Sequence, residues 1–411
     1  MSISTTSRYA LSLSAAAALL AGCGGSQPPL SLLPEGLAPP QSLGTPAYRI
    51  LHEFGKSAGD GANPAAPLIN VRGTLYGTTP YGGSNNVGTV FAITKTGEET
   101  VLHSFTGAAF SVSADGAQPT TGLVNVNGTL YGTTSTGGAN MCGGGSCGTV
   151  FSVTTSGKET VLHSFAYSTT DGAGPAAGLI DVGGILYGTT YAGGAHLCGG
   201  TYCGTVFSIT TSGTEKLLYS FGQTNDGIYP QAALLDVGGT LYGTTSQGGK
   251  NKRGTVFTVS TTGHEQVLYS FGAVGFRDGT NPSSALVNAG GTLYGTTEQG
   301  GNGSSGAVYS ITKFGRENLV YSFNGKDGSQ PIGGVIDVKG VLYGTTYMGG
   351  AKNVGSVFSV TKTGQEEVVH SFRAGSGKNP IAGLLDVNGT LYGTTVGSIY
   401  DHHGNVFSLT P

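Results

Sequence analysis

The sequence predicts an all-β fold: a seven-bladed β-propeller of four-stranded blades, closed by the N-terminal strand pairing with the last blade. Three observations support this prediction. A seven-residue motif recurs at a nearly fixed period, tight-turn dipeptides precede it, and the copies of the fourth strand match the copies of the other three. Periods of about 50 residues are typical of propellers and solenoids. One closed array over residues 48–411 is therefore expected, because each repeat buries its faces only against its neighbours.

The recurring motif is Gly-Thr-Leu-Tyr-Gly-Thr-Thr, and it contains predicted strand B. Its tyrosine recurs 49 to 56 residues apart, at Tyr76, Tyr131, Tyr187, Tyr242, Tyr294, Tyr343 and Tyr392. A short β-rich run, predicted strand A, precedes each copy, and the dipeptide between them is Asn-Gly or Gly-Gly in most copies. Such dipeptides supply the positive φ that two-residue hairpins need, so strands A and B are expected to form a hairpin.

Strands C and D follow in every repeat. In the first repeat, residues 88–93 predict strand C, and residues 100–105 predict strand D after a short turn that carries a glycine and a glutamate. The first strand D, at residues 48–54, has no A–B–C unit before it, and the last A–B–C unit has no strand D after it. Pairing these two pieces closes the ring, whereas an open array would leave unpaired edges that favour aggregation.

Loop lengths distinguish the two faces of this propeller. The D–A and B–C loops, which together define the loop face, vary from 7 to 13 residues, and the B–C loops have 8 residues in five blades and 13 in two. The A–B and C–D turns of the opposite face are short and uniform. Because variable loops on a rigid scaffold usually carry function, the loop face is the predicted binding surface.

The two lengthened B–C loops each contain a pair of cysteines. Cys142 and Cys147 lie in one loop, and Cys198 and Cys203 lie in the other. Paired cysteines within one loop of an exported protein predict local disulfides, 142–147 and 198–203. A four-cysteine zinc site between adjacent blades is the alternative, and the C-x4-C spacing and an oxidising compartment argue against it.

A recurring Asp-Gly pair stands four residues before a proline in six repeats. The aspartates are Asp60, Asp115, Asp171, Asp226, Asp278 and Asp327, and the seventh copy has Ser376 instead. They are candidates for a ring of carboxylates on the loop face that binds a cation or sugar hydroxyls. The alternative is that each aspartate caps its own loop, and its recurrence in nearly every repeat favours this structural role.

Catalysis would need unique ionisable residues, and the sequence has few. Glu298 and Asp401 are carboxylates at unrepeated positions of the loop face, and His402 and His403 adjoin the second. A carbohydrate-active hydrolase or lyase would require them to converge at the mouth of the central channel. Two isolated carboxylates are weak support for an acid–base pair, so no catalytic residue is assigned.

Four histidines share one position of strand D, where the other repeats have tyrosine. They are His52, His103, His163 and His370. Exchange with tyrosine indicates packing instead of metal ligation. The sequence accordingly predicts no metal and no cofactor.

The N-terminal residues predict export. Residues 1–22 have Arg8 followed by an apolar stretch too short to span a bilayer. Leu20-Ala21-Gly22-Cys23 resembles the cleavage box of bacterial lipoproteins, which implies acylation of Cys23 and a membrane anchor through the lipid; an ordinary signal peptide is the alternative. Gly24 after the cysteine, by the same resemblance, favours the outer membrane. Residues 23–47 are rich in Pro, Gly and Ser and predict an extended tether.

The net charge of −3 and the 19 scattered Lys and Arg residues argue against nucleic-acid binding, and a monomer is expected.

The pattern Asp-Gly-x-x-Pro, Gly-Thr-Leu-Tyr-Gly-Thr-Thr, Gly-Gly and Gly-Thr-Val-Phe resembles the GloVer tandem repeat of bacterial choice-of-anchor proteins. That resemblance implies an export signal, a repeat array and a surface anchor, but no activity or ligand. The expected function is recognition of a protein or glycan by an envelope-anchored propeller; the alternatives are the hydrolase or lyase, or a surface scaffold without a ligand.

Overall fold

A computed structural model describes residues 47–107, 115–142, 145–397 and 403–411. The predicted signal peptide, the acylation site Cys23 and the tether as far as residue 46 lie outside these residues, and so do Asp401 and His402. Within the described ranges, no helix has the length and hydrophobicity needed to cross a membrane.

The secondary structure consists of strands arranged in seven antiparallel sheets, the blades, numbered here by the order of their strands A. Strands A are Ile69–Val71, Val124–Val126, Ile180–Val182, Leu235–Val237, Val287–Ala289, Val335–Val338 and Leu385–Val387. Strands B are Thr74–Thr79, Thr129–Thr134, Ile185–Thr190, Thr240–Gly248, Thr292–Thr297, Val341–Thr346 and Thr390–Thr395. Strands C are Thr89–Ile93, Thr149–Thr154, Thr205–Thr210, Thr255–Ser260, Ala307–Ile311, Ser356–Thr361 and Asn405–Thr410. Strands D of blades 1 to 6 are Glu99–Ser104, Glu159–Ser164, Glu215–Ser220, Glu265–Ser270, Glu317–Ser322 and Glu366–Ser371.

The N-terminal strand closes the ring, as predicted. Ala47–Glu53 is strand D of blade 7 and pairs antiparallel with Asn405–Thr410, placing Ala47 opposite Thr410 and Glu53 opposite Asn405. The seven-bladed propeller expected from the sequence is thereby confirmed. Every blade has four strands in the order A–B–C–D, and the sheet of blade 4 adds a fifth strand, Gly227–Pro230, from its D–A loop.

The core lies between blades and explains the recurring motif. Phe54, which ends strand D of blade 7, packs edge-to-face on Phe91 of blade 1, with ring centroids 4.9 Å apart. The Phe91 ring lies against Gly77 of the motif, where a Cβ atom would be 2.6 Å from the ring Cζ. Glycine is therefore required by close packing at this position, and equivalent clusters fill the other blade interfaces.

Side chains of the repeat close its turns. Asn70, in strand A, accepts a hydrogen bond from the backbone N–H of Gly73 at 3.0 Å and so fixes the A–B hairpin. The same bond recurs in the other six blades, made by Asn125, Asp181, Asp236, Asn288, Asp337 and Asp386. The four carboxylates among these residues therefore serve the turn.

Candidate functional site

The D–A and B–C loops meet on one face, as the sequence predicted. In blade 1, Gly61–Ala62 of the D–A loop pairs with Tyr81–Gly82 of the B–C loop, and blades 2 and 3 repeat this short ladder. Each ladder joins the D–A loop of its blade to the B–C loop. The paired backbone gives this part of the loop face a fixed framework from which side chains can recognise a ligand.

The central channel contains no catalytic group among the described residues that line it. Its cavity of about 530 Å³ is formed by the starts of strand A in all seven blades, and the lining consists of Ala, Gly, Pro, Ser, Thr, Gln, Leu, Ile and Val. A proton-transfer mechanism needs titratable side chains at the reacting centre. The described lining of the channel therefore provides no titratable side chain for proton transfer.

Both predicted disulfides are present. Cys142 bonds to Cys147 and Cys198 bonds to Cys203, with Cα atoms 5.3 and 5.4 Å apart. The bonds exclude the alternative of a four-cysteine zinc site, because every sulfur is used within its own loop. In blade 3 the disulfide ties the small hairpin formed by Leu197–Cys198 and Thr201–Tyr202. The lengthened loop is thus a rigid projection from the loop face.

Four tyrosines surround the blade 3 hairpin and form what we call the tyrosine platform: Tyr167, Tyr191, Tyr202 and Tyr229. Tyr191 and Tyr229 stack with ring centroids 4.6 Å apart, and Tyr167 meets Tyr202 edge-to-face at 5.0 Å. The Tyr229 hydroxyl donates to the Cys198 carbonyl at 3.2 Å and lies 2.9 Å from Thr201 Oγ1. These contacts order the rings in advance of any ligand, which lowers the entropy lost on binding.

Two platform tyrosines adopt a backbone conformation that tyrosine disfavours. Tyr167 has φ 44° and Tyr229 has φ 59°. Tyr229 precedes the repeated proline, and at this position the other blades also have positive φ but use Asn, Gln or Gly: Asn63, Gln118, Gly174, Asn281, Gln330 and Asn379. Left-handed backbone costs about 1 kcal/mol or more for bulky residues. The turn alone therefore does not account for tyrosine at position 229.

Exposed apolar side chains also concentrate on the loop face. Among the described residues, six large apolar side chains are exposed, and five of them lie in D–A or B–C loops: Met141, Tyr191, Leu197, Val274 and Phe276. The sixth, Phe314, lies in a C–D turn of the opposite face and is 97% exposed. Exposed apolar groups that collect on one surface are a feature of interaction sites.

The six Asp-Gly aspartates lie beneath the loop face instead of on it. Asp60, Asp226, Asp278 and Asp327 are buried, and Asp115 and Asp171 are half-buried. Most of them accept hydrogen bonds from the backbone of their own loop: Gly55 N–H donates to Asp60 at 2.9 Å, and Gly222 N–H donates to Asp226 at 3.0 Å. These bonds match the loop-capping role that the sequence favours for the aspartates. The six aspartates therefore do not form a ring of carboxylates exposed on the loop face.

The strand D position shared by His and Tyr contacts these same aspartates. The Tyr219 hydroxyl donates to Asp226 at 2.9 Å, and His103 Nε2 lies 3.3 Å from Asp115. The rings also pack edge-to-face on the phenylalanine two residues later, as His103 does on Phe105. The packing expected for this position is therefore accompanied by a polar contact that the sequence did not reveal.

Glu298 and His403 do not share a cleft in the described part of the chain. Glu298 is half-buried in blade 5, and burial raises the pKa of its carboxyl. His403 lines a cleft of about 270 Å³ in blade 7 together with Glu53, Lys56 and Lys378. Asp401 and His402 lie outside the described residues. The convergence that the catalytic alternative requires is thus not seen for Glu298 and His403.

Sequence reasoning missed the tyrosine platform, although one signal was present. Tyr229 replaces the Asn, Gln or Gly that all other repeats place before the proline. Tyr202 belongs to the lengthened part of its loop and has no counterpart in the shorter loops. Tyr191 directly follows the motif, where blade 6 also has a tyrosine, Tyr347, so the alignment of repeats does not single it out.

Comparisons with known proteins agree with this architecture. The Gloeobacter/Verrucomicrobia repeat matches residues 41–203 and 197–407. A search of curated proteins finds no significant match. The periplasmic gluconolactonase PpgL of Pseudomonas aeruginosa is similar in structure, with a TM-score of 0.50 and 15% sequence identity. The similarity covers 75% of this chain and 84% of PpgL. A putative 6-phosphogluconolactonase from Bacteroides uniformis gives a TM-score of 0.47 at 17% identity, with 78% and 88% covered. At 15% identity the likeness to PpgL shows the propeller fold alone.

Proposed function

Since the chain belongs to the Gloeobacter/Verrucomicrobia repeat family, we propose that it is an envelope-anchored recognition module whose loop face binds a protein or a glycan. The observation that carries this proposal is the tyrosine platform, which a disulfide-tied hairpin holds on the loop face. Tyrosine offers a large apolar ring and a hydroxyl with few rotatable bonds, and for this reason it is enriched at binding surfaces.

Backbone strain supports the same assignment. A positive φ is unfavourable for a residue with a side chain as bulky as that of Tyr229. At the same turn the other six blades have Asn, Gln or Gly, which tolerate this backbone conformation better. Strained residues cluster where function requires them, so the strained backbone of Tyr229 supports a role of this residue in binding. The opposite face, made of repeated short turns, offers no comparable cluster within the described chain.

Binding of a soluble chain that starts at Leu43 to glycan arrays and to envelope extracts tests the proposal. We expect saturable binding that falls at least tenfold in Tyr229→Asn and Tyr191→Ala variants. Asn is the residue that blades 1, 5 and 7 use at this turn, so the folded state is expected to persist in Tyr229→Asn. Phe314→Ala, which removes an exposed aromatic ring from the opposite face, is the matched control and should bind normally.

The two ligand classes give different results. Binding to arrayed glycans that is competed by the free sugar identifies a glycan, whereas capture of one protein that survives glycosidase treatment identifies a protein. A folded chain that binds neither, or variants that bind as well as the parent protein, would remove the recognition proposal and leave the surface scaffold.

Anchoring is a separate part of the proposal and rests on Leu20-Ala21-Gly22-Cys23. Two or more acyl chains are sufficient for stable membrane attachment. Expression of the full chain in a Gram-negative host should yield a membrane-bound protein that incorporates labelled fatty acid, and Cys23→Ser should abolish the label. Labelling that is unchanged in Cys23→Ser would refute the assignment of the acylated residue.

A hydrolase or lyase is the second candidate, and the blade 7 cleft is the observation in its favour. Thr395 Oγ1 and Asn405 Oδ1 line this cleft and are buried without a hydrogen-bond partner among the described residues, whereas the equivalent Thr79 and Thr89 of blade 1 bond to each other at 2.8 Å. Turnover of envelope polysaccharides that is lost in Lys378→Met would favour this candidate; no turnover of any polysaccharide would count against it.

A further inference from the structure

Three blade interfaces bring one histidine, one aspartate and one glutamate together. The groups are His52, Asp60 and Glu99 between blades 7 and 1; His103, Asp115 and Glu159 between blades 1 and 2; and His163, Asp171 and Glu215 between blades 2 and 3. In each group, a ring nitrogen and two carboxylate oxygens lie within 4.8 Å of one another. The histidine comes from strand D of one blade, the aspartate from the following loop and the glutamate from strand D of the next blade.

The first of these groups contains buried polar atoms without hydrogen bonds. The Asp60 side chain is only 3% exposed, and its Oδ1 faces His52 Nε2 at 3.5 Å. Neither Oδ1 nor Nε2 has a hydrogen-bond partner in the described chain, and the Oε1 atom of Glu99 is also buried without one. Burying such groups without partners costs free energy, because they lose their hydration without a compensating bond. A ligand that all three atoms can share would remove that cost.

Three other interfaces have the same two carboxylates but a tyrosine in place of the histidine. Tyr219 and Tyr269 donate their hydroxyl protons to Asp226 and Asp278 at 2.9 and 2.7 Å, and Tyr321 bonds to Asp327 in the same way. A tyrosine carries its own proton and donates it to one oxygen of the aspartate. The glutamate Oε1 atom is buried without a hydrogen-bond partner among the described residues at the tyrosine interfaces as well as at the histidine interfaces, so the histidine nitrogen is what distinguishes the two kinds of interface. A neutral histidine instead offers a nitrogen lone pair, which is a good ligand for a transition metal.

The seventh interface lacks both carboxylates together. Here His370 faces Ser376 at the aspartate position and Tyr48 at the glutamate position. The Tyr48 ring stacks on His370 with centroids 4.0 Å apart, and its hydroxyl donates to the Ser376 carbonyl. Aspartate and glutamate are thus present together at six interfaces and lost together at the seventh, which indicates that they act as a pair.

We propose that the three His–Asp–Glu groups are divalent transition-metal sites, with zinc the ion that fits best, and that each metal links two adjacent blades. One imidazole nitrogen and two carboxylate oxygens are zinc ligands, and a solvent molecule completes the coordination. Atoms about 2.0–2.1 Å from a tetrahedral zinc lie roughly 3.3–3.4 Å from each other. The His–Asp separations of 3.5, 3.3 and 3.3 Å are close to this value and long for a charge-assisted hydrogen bond.

Charge supports the same assignment. In each group two carboxylates lie close together at a blade interface. A dication between the two carboxylates replaces their mutual repulsion with attraction. The proposal concerns side chains of strand D and its following loop and goes beyond the recognition function proposed above, although Tyr167 of the tyrosine platform lies in the same D–A loop as Asp171.

Zinc binding by the purified full chain tests the proposal. After removal of metals with a chelator, equilibrium dialysis against ZnCl₂ and elemental analysis should give up to three zinc ions per chain. The combined variant H52Y/H103Y/H163Y should bind none, and it should fold because tyrosine occupies the same position at three sister interfaces. Cobalt(II) added to the parent protein should show the visible bands of tetrahedral coordination, and these bands should be absent in the variant.

A gain of binding provides the complementary test. Tyr219→His places a histidine beside Asp226 and Glu265, so this variant should bind one zinc ion more than the parent protein. Asp60→Asn should bind one fewer. Zinc content in the combined variant equal to that of the parent protein, or no zinc bound by either, would overturn the proposal.

Discussion

Tyr309 is a position where blade 5 departs from the interblade core of its neighbours. The other six blades have phenylalanine there, against the glycine of the motif. The hydroxyl of Tyr309 is fully buried, and it has no hydrogen-bond partner among the described residues. Removing this hydroxyl should therefore stabilise the folded state.

We expect Tyr309→Phe to stabilise the protein by about 1–2 kcal/mol, because a buried hydroxyl without a partner loses its hydration without compensation. The thermal midpoint should rise by about 2–3 °C, which differential scanning calorimetry measures. The reverse change at the equivalent residue, Phe257→Tyr in blade 4, is the matched control and should lower the midpoint. Equal midpoints in all three proteins would show that the hydroxyl finds a partner in solution.

Glu265 gives a prediction about pH. Burial, together with the charge of Asp226, raises the pKa of Glu265 to about 7 from 4.5. The folded state therefore binds this proton more tightly than the unfolded state does. The resulting stabilisation is fully present below about pH 4.5 and is lost as the pH rises through about 7.

Glu265→Gln keeps the shape of the side chain without a titrating proton, so this variant should lose less stability than the parent protein between pH 5 and pH 8. We expect the midpoint difference to grow by about 1–2 °C across that range in thermal melts. Glu98→Gln, at an exposed position of a C–D turn, is the control and should follow the parent curve. A constant difference at all pH values would contradict a raised pKa at Glu265.

At the scale of single elements, the blade 3 hairpin combines a disulfide with the tyrosine platform. The Cys198–Cys203 bond closes a ring of few residues, which restricts the unfolded loop by roughly 2 kcal/mol. The hairpin contacts Tyr167 and Tyr229 and packs on the interblade core through its cysteines. Its order should therefore depend on the disulfide more than the order of the propeller does.

We expect a Cys198→Ser, Cys203→Ser double variant to keep the global melting transition within a few degrees of the parent protein. Amide exchange in residues 196–203 should become at least tenfold faster, because an opening that costs about 1.4 kcal/mol less is ten times more populated. The equivalent change at Cys142 and Cys147 should leave exchange in 196–203 unchanged. Exchange that stays slow in the first variant would show that the tyrosine contacts alone order the hairpin.

The elements also show what the sequence could and could not predict. Strand B, the A–B hairpin and the loop disulfides followed from local signals: a motif, Asn-Gly or Gly-Gly dipeptides, and paired cysteines. The meeting of Glu99 with Asp60 and His52 did not follow, because it joins strands D of different blades and depends on how neighbouring blades pack. One trace was present in the sequence, since Ser376 and Tyr48 depart from the repeat together.

The tyrosine platform was hidden for a different reason. Tyr167, Tyr202 and Tyr229 come from separate loops that the ring brings together, and two of them, Tyr167 and Tyr229, have a positive φ. A sequence shows which residue stands before the proline but not that its backbone is strained. The site was therefore predictable as a face and not as a set of residues.

At the scale of the whole molecule, one strand completes the ring. Ala47–Glu53 supplies the outer strand of blade 7, and the buried Phe54 follows it. Without this strand, Asn405–Thr410 would become an exposed edge and blade 1 would lose the ring that packs on Phe91.

A chain that starts at Gly55 should therefore melt more than 10 °C below one that starts at Leu43, because it loses a buried aromatic worth about 3–5 kcal/mol in addition to a strand pairing. It should also form dimers and larger species in size-exclusion chromatography. A synthetic peptide covering residues 43–54, added during refolding, should restore the monomer and the midpoint. A monomeric Gly55 chain with the parent midpoint would show that closure contributes little.

The pairing of Ala47 with Thr410 also determines when folding can finish. The N-terminal strand of the ring has its partner in the C-terminal strand of the ring, so it cannot pair until nearly the whole array has been synthesised. Each intervening blade can form against its predecessor as it appears, but closure is a single late event across a very long loop, with an entropic cost that grows only slowly with length. The ring can therefore close only after translation has reached blade 7, and a product shortened before that point is left with an open edge.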